Sequence, residues 1–207
     1  AKKEGYEIAA LHLNYGQRTQ SRELKAFNDL LLHFQIKHKL VVDVSHFANM
    51  GGSSLTDNSM EVTIADLDNT TIPTSYVPFR NGNILSVAAS WTEVLGANAI
   101  FIGANQLDSS GYPDCRKEFF DSFENSIELG TKPETKIKIL TPIINFSKKK
   151  IVEIGIELGT PFQLTWSCYK ETECACGLCD SCGLRLRGFA QAGKEDPIKY
   201  LTRPEYL

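Results

Sequence analysis

The chain has 207 residues, 42% of them hydrophobic and 23% charged, with a formal net charge of −3. This is enough chain for one sizeable core, and the composition is that of an ordinary globular protein. There is no overall basic excess to favour nucleic acid, no apolar run long enough for a membrane span, and no signal-peptide pattern.

The opening Ala1-Lys2-Lys3-Glu4-Gly5 reads as the last turn of a helix closed by a Gly cap. Residues 6–14 read as a strand. The chain is therefore expected to begin inside a fold, after a strand and most of a helix. Residues 17–34 carry Leu24, Phe27, Leu30, Leu31 and Phe34 at helical spacing. Residues 40–44 are a short β-branched strand. Residues 45–75 are rich in Ser, Thr, Asn and Asp, and predict a flexible functional loop or a lid. Helices are expected over 84–95, 118–129, 148–158 and 180–192, with strands at 99–103 and 137–140. Strands and helices thus alternate, which predicts an α/β fold with a mainly parallel sheet and helices on both faces. Ligands of such folds bind beyond the carboxyl ends of the strands.

Three polar segments follow those ends or lie close to them. Asn14-Tyr15-Gly16-Gln17-Arg18 joins a strand to a helix, where backbone amides meet anions; an ordinary turn with a solvated Arg would read the same way. Val77-Pro78-Phe79-Arg80-Asn81-Gly82-Asn83 places a guanidinium suited to phosphate just before a long helix, although either Asn could simply be its cap. Residues 103–116 follow the most hydrophobic strand and include Asp108, Tyr112, Asp114, Cys115 and Arg116. Either aspartate could serve magnesium or accept two hydrogen bonds from a guanine-type edge. Ser147 is a helix cap, and the following lysines, Lys148 first, are placed where an anionic ligand would offset their repulsion with the helix dipole.

Five of the six cysteines fall between 168 and 182, which reads as metal binding in a reducing compartment, hence the cytoplasm. The spacing Cys168-x7-Cys176-x2-Cys179-x2-Cys182 predicts a tetrahedral structural zinc. An iron–sulfur cluster is the competitor, but Gly183 and not Pro follows the last cysteine. Cys174 could replace Cys168 or Cys176 as a ligand.

Taken in order, Tyr15-Gly16-Gln17-Arg18, Ser54-Leu55-Thr56, Pro78-Phe79-Arg80-Asn81, Ser110-Gly111-Tyr112-Pro113-Asp114-Cys115-Arg116, Thr141-Pro142 with Lys148, and the cysteine cluster resemble the 7-cyano-7-deazaguanine synthase family of queuosine biosynthesis. The resemblance implies an ATP pyrophosphatase-type, adenine nucleotide alpha hydrolase-like domain over residues 1–160, with a zinc-binding segment over 161–207. It implies ATP with magnesium, ammonia and 7-carboxy-7-deazaguanine as the small-molecule substrates, a homodimer, and no direct nucleic-acid or membrane partner. It assigns phosphate charge to Arg80 and Lys148, and substrate binding to Tyr15, Gln17, Arg18, Phe79, Asn81, Asp108, Tyr112, Asp114 and Arg116. The metal ligands it implies are Cys168, Cys176, Cys179 and Cys182. One departure stands out. The family's Ser-Gly-Gly-x-Asp-Ser phosphate loop is not found in the sequence; Met50-Gly51-Gly52-Ser53-Ser54 lacks the leading Ser and the spaced Asp. This chain by itself is therefore expected to be inactive. The alternatives are a tRNA-thiolating or amide-forming enzyme of the same ATP-using group, and a zinc-stabilised nucleic-acid-binding module.

Overall fold

A computed structural model describes residues 1–107 and 111–206. The chain divides into two compact units. The first comprises residues 1–69, 73–77 and 147–207, and the second residues 70–72 and 78–146.

In the first unit, a short 3-10 turn (Lys2–Glu4) closes on Gly5 at φ 83°, as the Gly cap predicts. Strand β1 (Ala9–Asn14) pairs in parallel with β2 (His38–Asp43), with Ala9 opposite His38 and Asn14 opposite Asp43. Helix α1 (Gln20–Phe34) forms the crossover and turns inward on Ala26 and Leu31. It starts later than the apolar spacing suggests, because the Gln17 side chain folds back to accept the Tyr15 N–H at 2.9 Å. Helix α2 (His46–Met50) and two later helices complete this unit. In the second unit, α3 (Arg80–Leu95), β3 (Ala99–Phe101), α4 (Lys117–Gly130) and β4 (Lys138–Leu140) follow in order, and β3 and β4 again run parallel. Beyond them α5 spans Lys148–Glu157 and α6 spans Asp180–Gln191.

The fold is therefore α/β with parallel strands. Among the described residues those strands form two separate pairs and not one wide sheet. The alternation of elements dictates parallel crossovers, but it carries no information about which strand lies beside which.

The segment 45–75 holds one short helix, α2, and is otherwise irregular. Its residues 45–69 and 73–75 belong to the first unit, and only its 53–56 turn, Phe47 and Ser75 are buried. Ser53 and Ser54 are fully buried, and Leu55 and Ser75 nearly so. The polarity that suggests a loose loop is consumed internally: Ser54 N–H donates to Thr74 O at 2.8 Å, and Ser53 Oγ accepts from Leu55 N–H at 3.2 Å. Tyr15, Phe47, Leu55 and Val77 form a small core beneath it.

Candidate functional site

The cysteine-rich turn before α6 and the start of that helix bring together the four expected sulfurs. The Sγ atoms of Cys168, Cys176, Cys179 and Cys182 all lie within 4.8 Å of one another, and all four residues are buried. Cys176 Sγ and Cys182 Sγ stand 3.9 Å apart. That matches the ~3.8 Å edge of a tetrahedron of sulfurs placed about 2.3 Å from a central ion. Backbone amides surround the sulfurs. Cys168 Sγ accepts from Lys170, Glu171 and Cys176 N–H at 3.4, 3.3 and 3.3 Å, and Cys176 Sγ accepts from Leu178 and Cys179 N–H at 3.3 Å each. Such bonds favour thiolate. The thiols share charge unequally. Hydrogen bonds with Cys179 and Cys182 hold Cys168 far below the ordinary thiol range, while the same bonds push Cys179 and Cys182 up. A divalent cation removes this asymmetry by stabilising all four thiolates together. The quartet therefore fits a metal ion such as zinc, with no ligand position left for water or substrate. Cys174, half-buried, is not one of the quartet.

The chain's end braces this knuckle. Gly177 has φ 79°, and a Cβ there would fall 1.7 Å from Thr202 O. Tyr206 OH donates to Gly177 O at 2.9 Å. Ala175 N–H donates to Lys199 O at 2.9 Å, and Leu201 N–H returns to Ala175 O at 2.8 Å. On α6, Arg185 grips the buried Asp196 with two bonds, Nε to Oδ2 at 2.5 Å and Nη2 to Oδ1 at 2.9 Å. Tyr200 OH donates to the same carboxylate at 2.7 Å. Neither Arg185 nor Asp196 has a metal-like or motif-like spacing, and sequence reasoning missed both.

Of the first polar segment, Tyr15 is buried against Phe47, Leu55 and Val77. Gln17 is buried and donates to Glu23 Oε2 at 3.2 Å. Glu23 also receives Thr19 Oγ1 at 2.6 Å. An acid in the first turn after a Thr was the available signal for Glu23. Arg18 clamps the buried segment: its Nε donates to Ser54 O at 2.6 Å, and its Nη2 to Asp57 O at 2.8 Å and to Met60 O. These side chains organise the 53–60 turn.

In the second unit, α3 begins at Arg80 itself, four residues before the apolar pattern, and Phe79 ahead of it is left-handed at φ 55°. Neither Asn81 nor Asn83 caps the helix. Asn81 N–H instead donates to Asp114 Oδ2 at 2.9 Å. Asn81 Nδ2 donates back to Asp114 O at 2.9 Å and to Cys115 Sγ at 3.2 Å. Asn81, Asp114 and Cys115 are buried, the first in α3 and the other two in a 3-10 turn (Pro113–Cys115). The Phe79 ring is 54% exposed, lies against Gly82, and meets Phe119 edge-on at 5.8 Å between centroids. Tyr112 is half-buried and Arg116 exposed. Asp108 lies outside the described residues.

Lys148 is the first residue of α5, whose cap is Ser147 as expected: Ser147 Oγ accepts Lys150 N–H at 3.2 Å. Gly188 on α6 lets the helices meet closely, since a Cβ there would lie 2.7 Å from Lys148 Cβ. No helix among the described residues is long and apolar enough to cross a membrane.

A family model described as "Queuosine biosynthesis protein QueC" matches residues 1–193. The chain is 56% identical over 207 residues to a 7-cyano-7-deazaguanine synthase of Chlorobium chlorochromatii, covering all of this chain and 91% of that protein. It is 57% identical to the same-named protein of Chlorobium phaeobacteroides, covering all of this chain and 92% of that one. A third relative, from Chloroherpeton thalassium, is 58% identical over 203 residues, 98% of this chain and 90% of the relative. With a family model over residues 1–193 and relatives 56–58% identical over nearly its whole length, the chain belongs to the queuosine biosynthesis QueC family.

Proposed function

We propose that the protein converts 7-carboxy-7-deazaguanine and ammonia into 7-cyano-7-deazaguanine with consumption of ATP. The observation that carries this reading is 56% identity over all 207 residues with a synthase of that product. A carboxylate is a poor electrophile. Attack of its oxygen on the α-phosphorus of ATP expels pyrophosphate and leaves an acyl adenylate. Ammonia adds to the acyl carbon, AMP leaves, and loss of a proton gives the amide. Adenylation of the amide oxygen by a second ATP, then departure of AMP with loss of the N–H protons, gives the nitrile.

Such steps depend on phosphate charge neutralisation, a dry pocket and positioning. Arg80, in the first turn of α3, is assigned the phosphate charge, and Lys148 is a second candidate for it. The exposed face of Phe79 suits stacking on the deazaguanine ring. Magnesium accompanies ATP as its counter-ion. Zinc in the cysteine quartet supplies structure and takes no part in the chemistry. The two parallel strand pairs and their helices are read as an adenine nucleotide alpha hydrolase-like fold with a C-terminal zinc knuckle, acting as a cytoplasmic homodimer.

The test is mass-spectrometric detection of nitrile from ATP, magnesium, ammonium and 7-carboxy-7-deazaguanine. It uses the natural gene product. ATP consumption without nitrile in the natural product would move the reading to another carboxylate-activating reaction.

A further inference from the structure

We infer that Asp114 is a positioning residue that caps α3 and thereby sets Phe79 and Arg80, and that it does not read the substrate's base edge. The inference rests on the synthase reading above.

The first amides of a helix have no partner within it. Asp114 Oδ2 takes the Asn81 N–H at 2.9 Å, from 33 residues away in sequence. A carboxylate in that place is held by a charge-assisted bond and by the helix dipole. The bond is returned. Asn81 Nδ2 donates to Asp114 O and to Cys115 Sγ, so the Pro113–Cys115 turn and the first turn of α3 lock each other. Reading a guanine edge would require both carboxylate oxygens to face two ring-side N–H donors at once. Here one oxygen is committed to the backbone, on a residue only 4% exposed. Immediately before Asn81 sit the two residues that the synthase chemistry uses. Phe79 is held at φ 55°, a conformation a non-glycine residue keeps only when its surroundings enforce it, and Arg80 is the first helical residue. The lock supplies that enforcement.

The test exploits the fact that Asn caps a helix as well as Asp does, but offers a donor where a base-reading carboxylate needs an acceptor. Asp114→Ala is expected to raise the KM for ATP roughly tenfold, the usual scale of a lost cap. Asp114→Asn should recover to within about threefold of the unmutated protein. In an Arg80→Ala background, Asp114→Ala should add almost nothing, because the group it positions is gone. A selective rise in the KM for 7-carboxy-7-deazaguanine in Asp114→Asn, with the KM for ATP unchanged, would overturn the inference in favour of base reading. Full additivity with Arg80→Ala would also overturn it. If the unmutated protein forms no nitrile, the synthase reading fails by itself. Hydrogen exchange at the Asn81 amide then still decides the cap: protection is expected in the unmutated protein and in Asp114→Asn and lost in Asp114→Ala, and equal protection in all three would refute it.

Discussion

The cysteine knuckle and the start of α3 are both tight, buried polar constructions, but they are encoded in different ways. The knuckle is local. Its four sulfurs come from fifteen consecutive positions, from Cys168 to Cys182, and its ligand spacing is visible in the sequence. The start of α3 is assembled from Asn81 and from Asp114 and Cys115, more than thirty residues further on. In the first, residue type and spacing reveal the role. In the second, residue type suggests several roles, and the fold chooses among them.

That contrast breaks most severely if the knuckle is not a metal site. Cys182→Ser removes a fully buried ligand. Metal content is expected to fall from about one ion per chain to near zero, and stability by at least ~5 kcal/mol, because a structural zinc contributes folding energy directly. Elemental analysis beside thermal denaturation measures both. Retention of the ion in this variant would remove the quartet from the account.

The second test asks how far the knuckle depends on its non-local brace. Arg185→Ala leaves Asp196, whose side chain is fully buried, without its cation, while the Arg185 side chain is only 12% exposed. Removing one partner of a buried pair costs about 3–5 kcal/mol. Tyr200 OH still donates to Asp196, which places the expectation at the lower end of that range. Metal content should survive, since no ligand is touched. A loss of metal equal to that in Cys182→Ser would show that the brace and the quartet are one folding unit.

How much of this was legible follows the same line. The helices over 84–95 and 118–129 are legible from apolar periodicity to within a few residues, because their large apolar side chains recur at helical spacing. The early start of α3 is not, because the group that caps it lies 33 positions away. Arg18 reads in sequence as a solvated turn residue or, by resemblance, a substrate-binding one, and the fold sets its guanidinium on the backbone carbonyls of Ser54, Asp57 and Met60. The cause is the same in both cases. A polar side chain announces that it will find a partner, and only tertiary structure says which. The 53–56 turn follows the same rule: its serines and threonines bond locally and so tolerate burial.

Gly82→Ala separates positioning from stability at the start of α3. A Cβ there would meet Phe79 Cε1 at 2.2 Å, so the ring must move. The ring is 54% exposed and can swing toward solvent, while Ala is the better helix former by up to ~1 kcal/mol. The melting temperature should therefore hold or rise slightly. The KM for 7-carboxy-7-deazaguanine should increase roughly three- to tenfold if Phe79 stacks on the base. An unchanged KM with a displaced ring would take Phe79 out of the substrate's path.

The smallest expected effect sharpens the comparison most, because it falls inside the knuckle. Cys174 and Cys176 are the same residue type, two positions apart, and sequence alone allows either to bind the ion. The difference lies in the turn that follows. Gly177, at φ 79°, folds the chain so that Leu178 and Cys179 N–H both point at Cys176 Sγ, at 3.3 Å each. That turn serves the cysteine that opens the two-residue gap to Cys179; Cys174 precedes it and lines a surface hollow with Asp196, Lys199 and Tyr200. Cys174→Ser should leave metal content unchanged and stability within ~0.5 kcal/mol, as for a substitution away from the core. Loss of the ion would mean that spacing, and not the amide-lined turn, selects the ligand. The contrast between a locally written site and a fold-written one would then fail at the residue where it is easiest to measure.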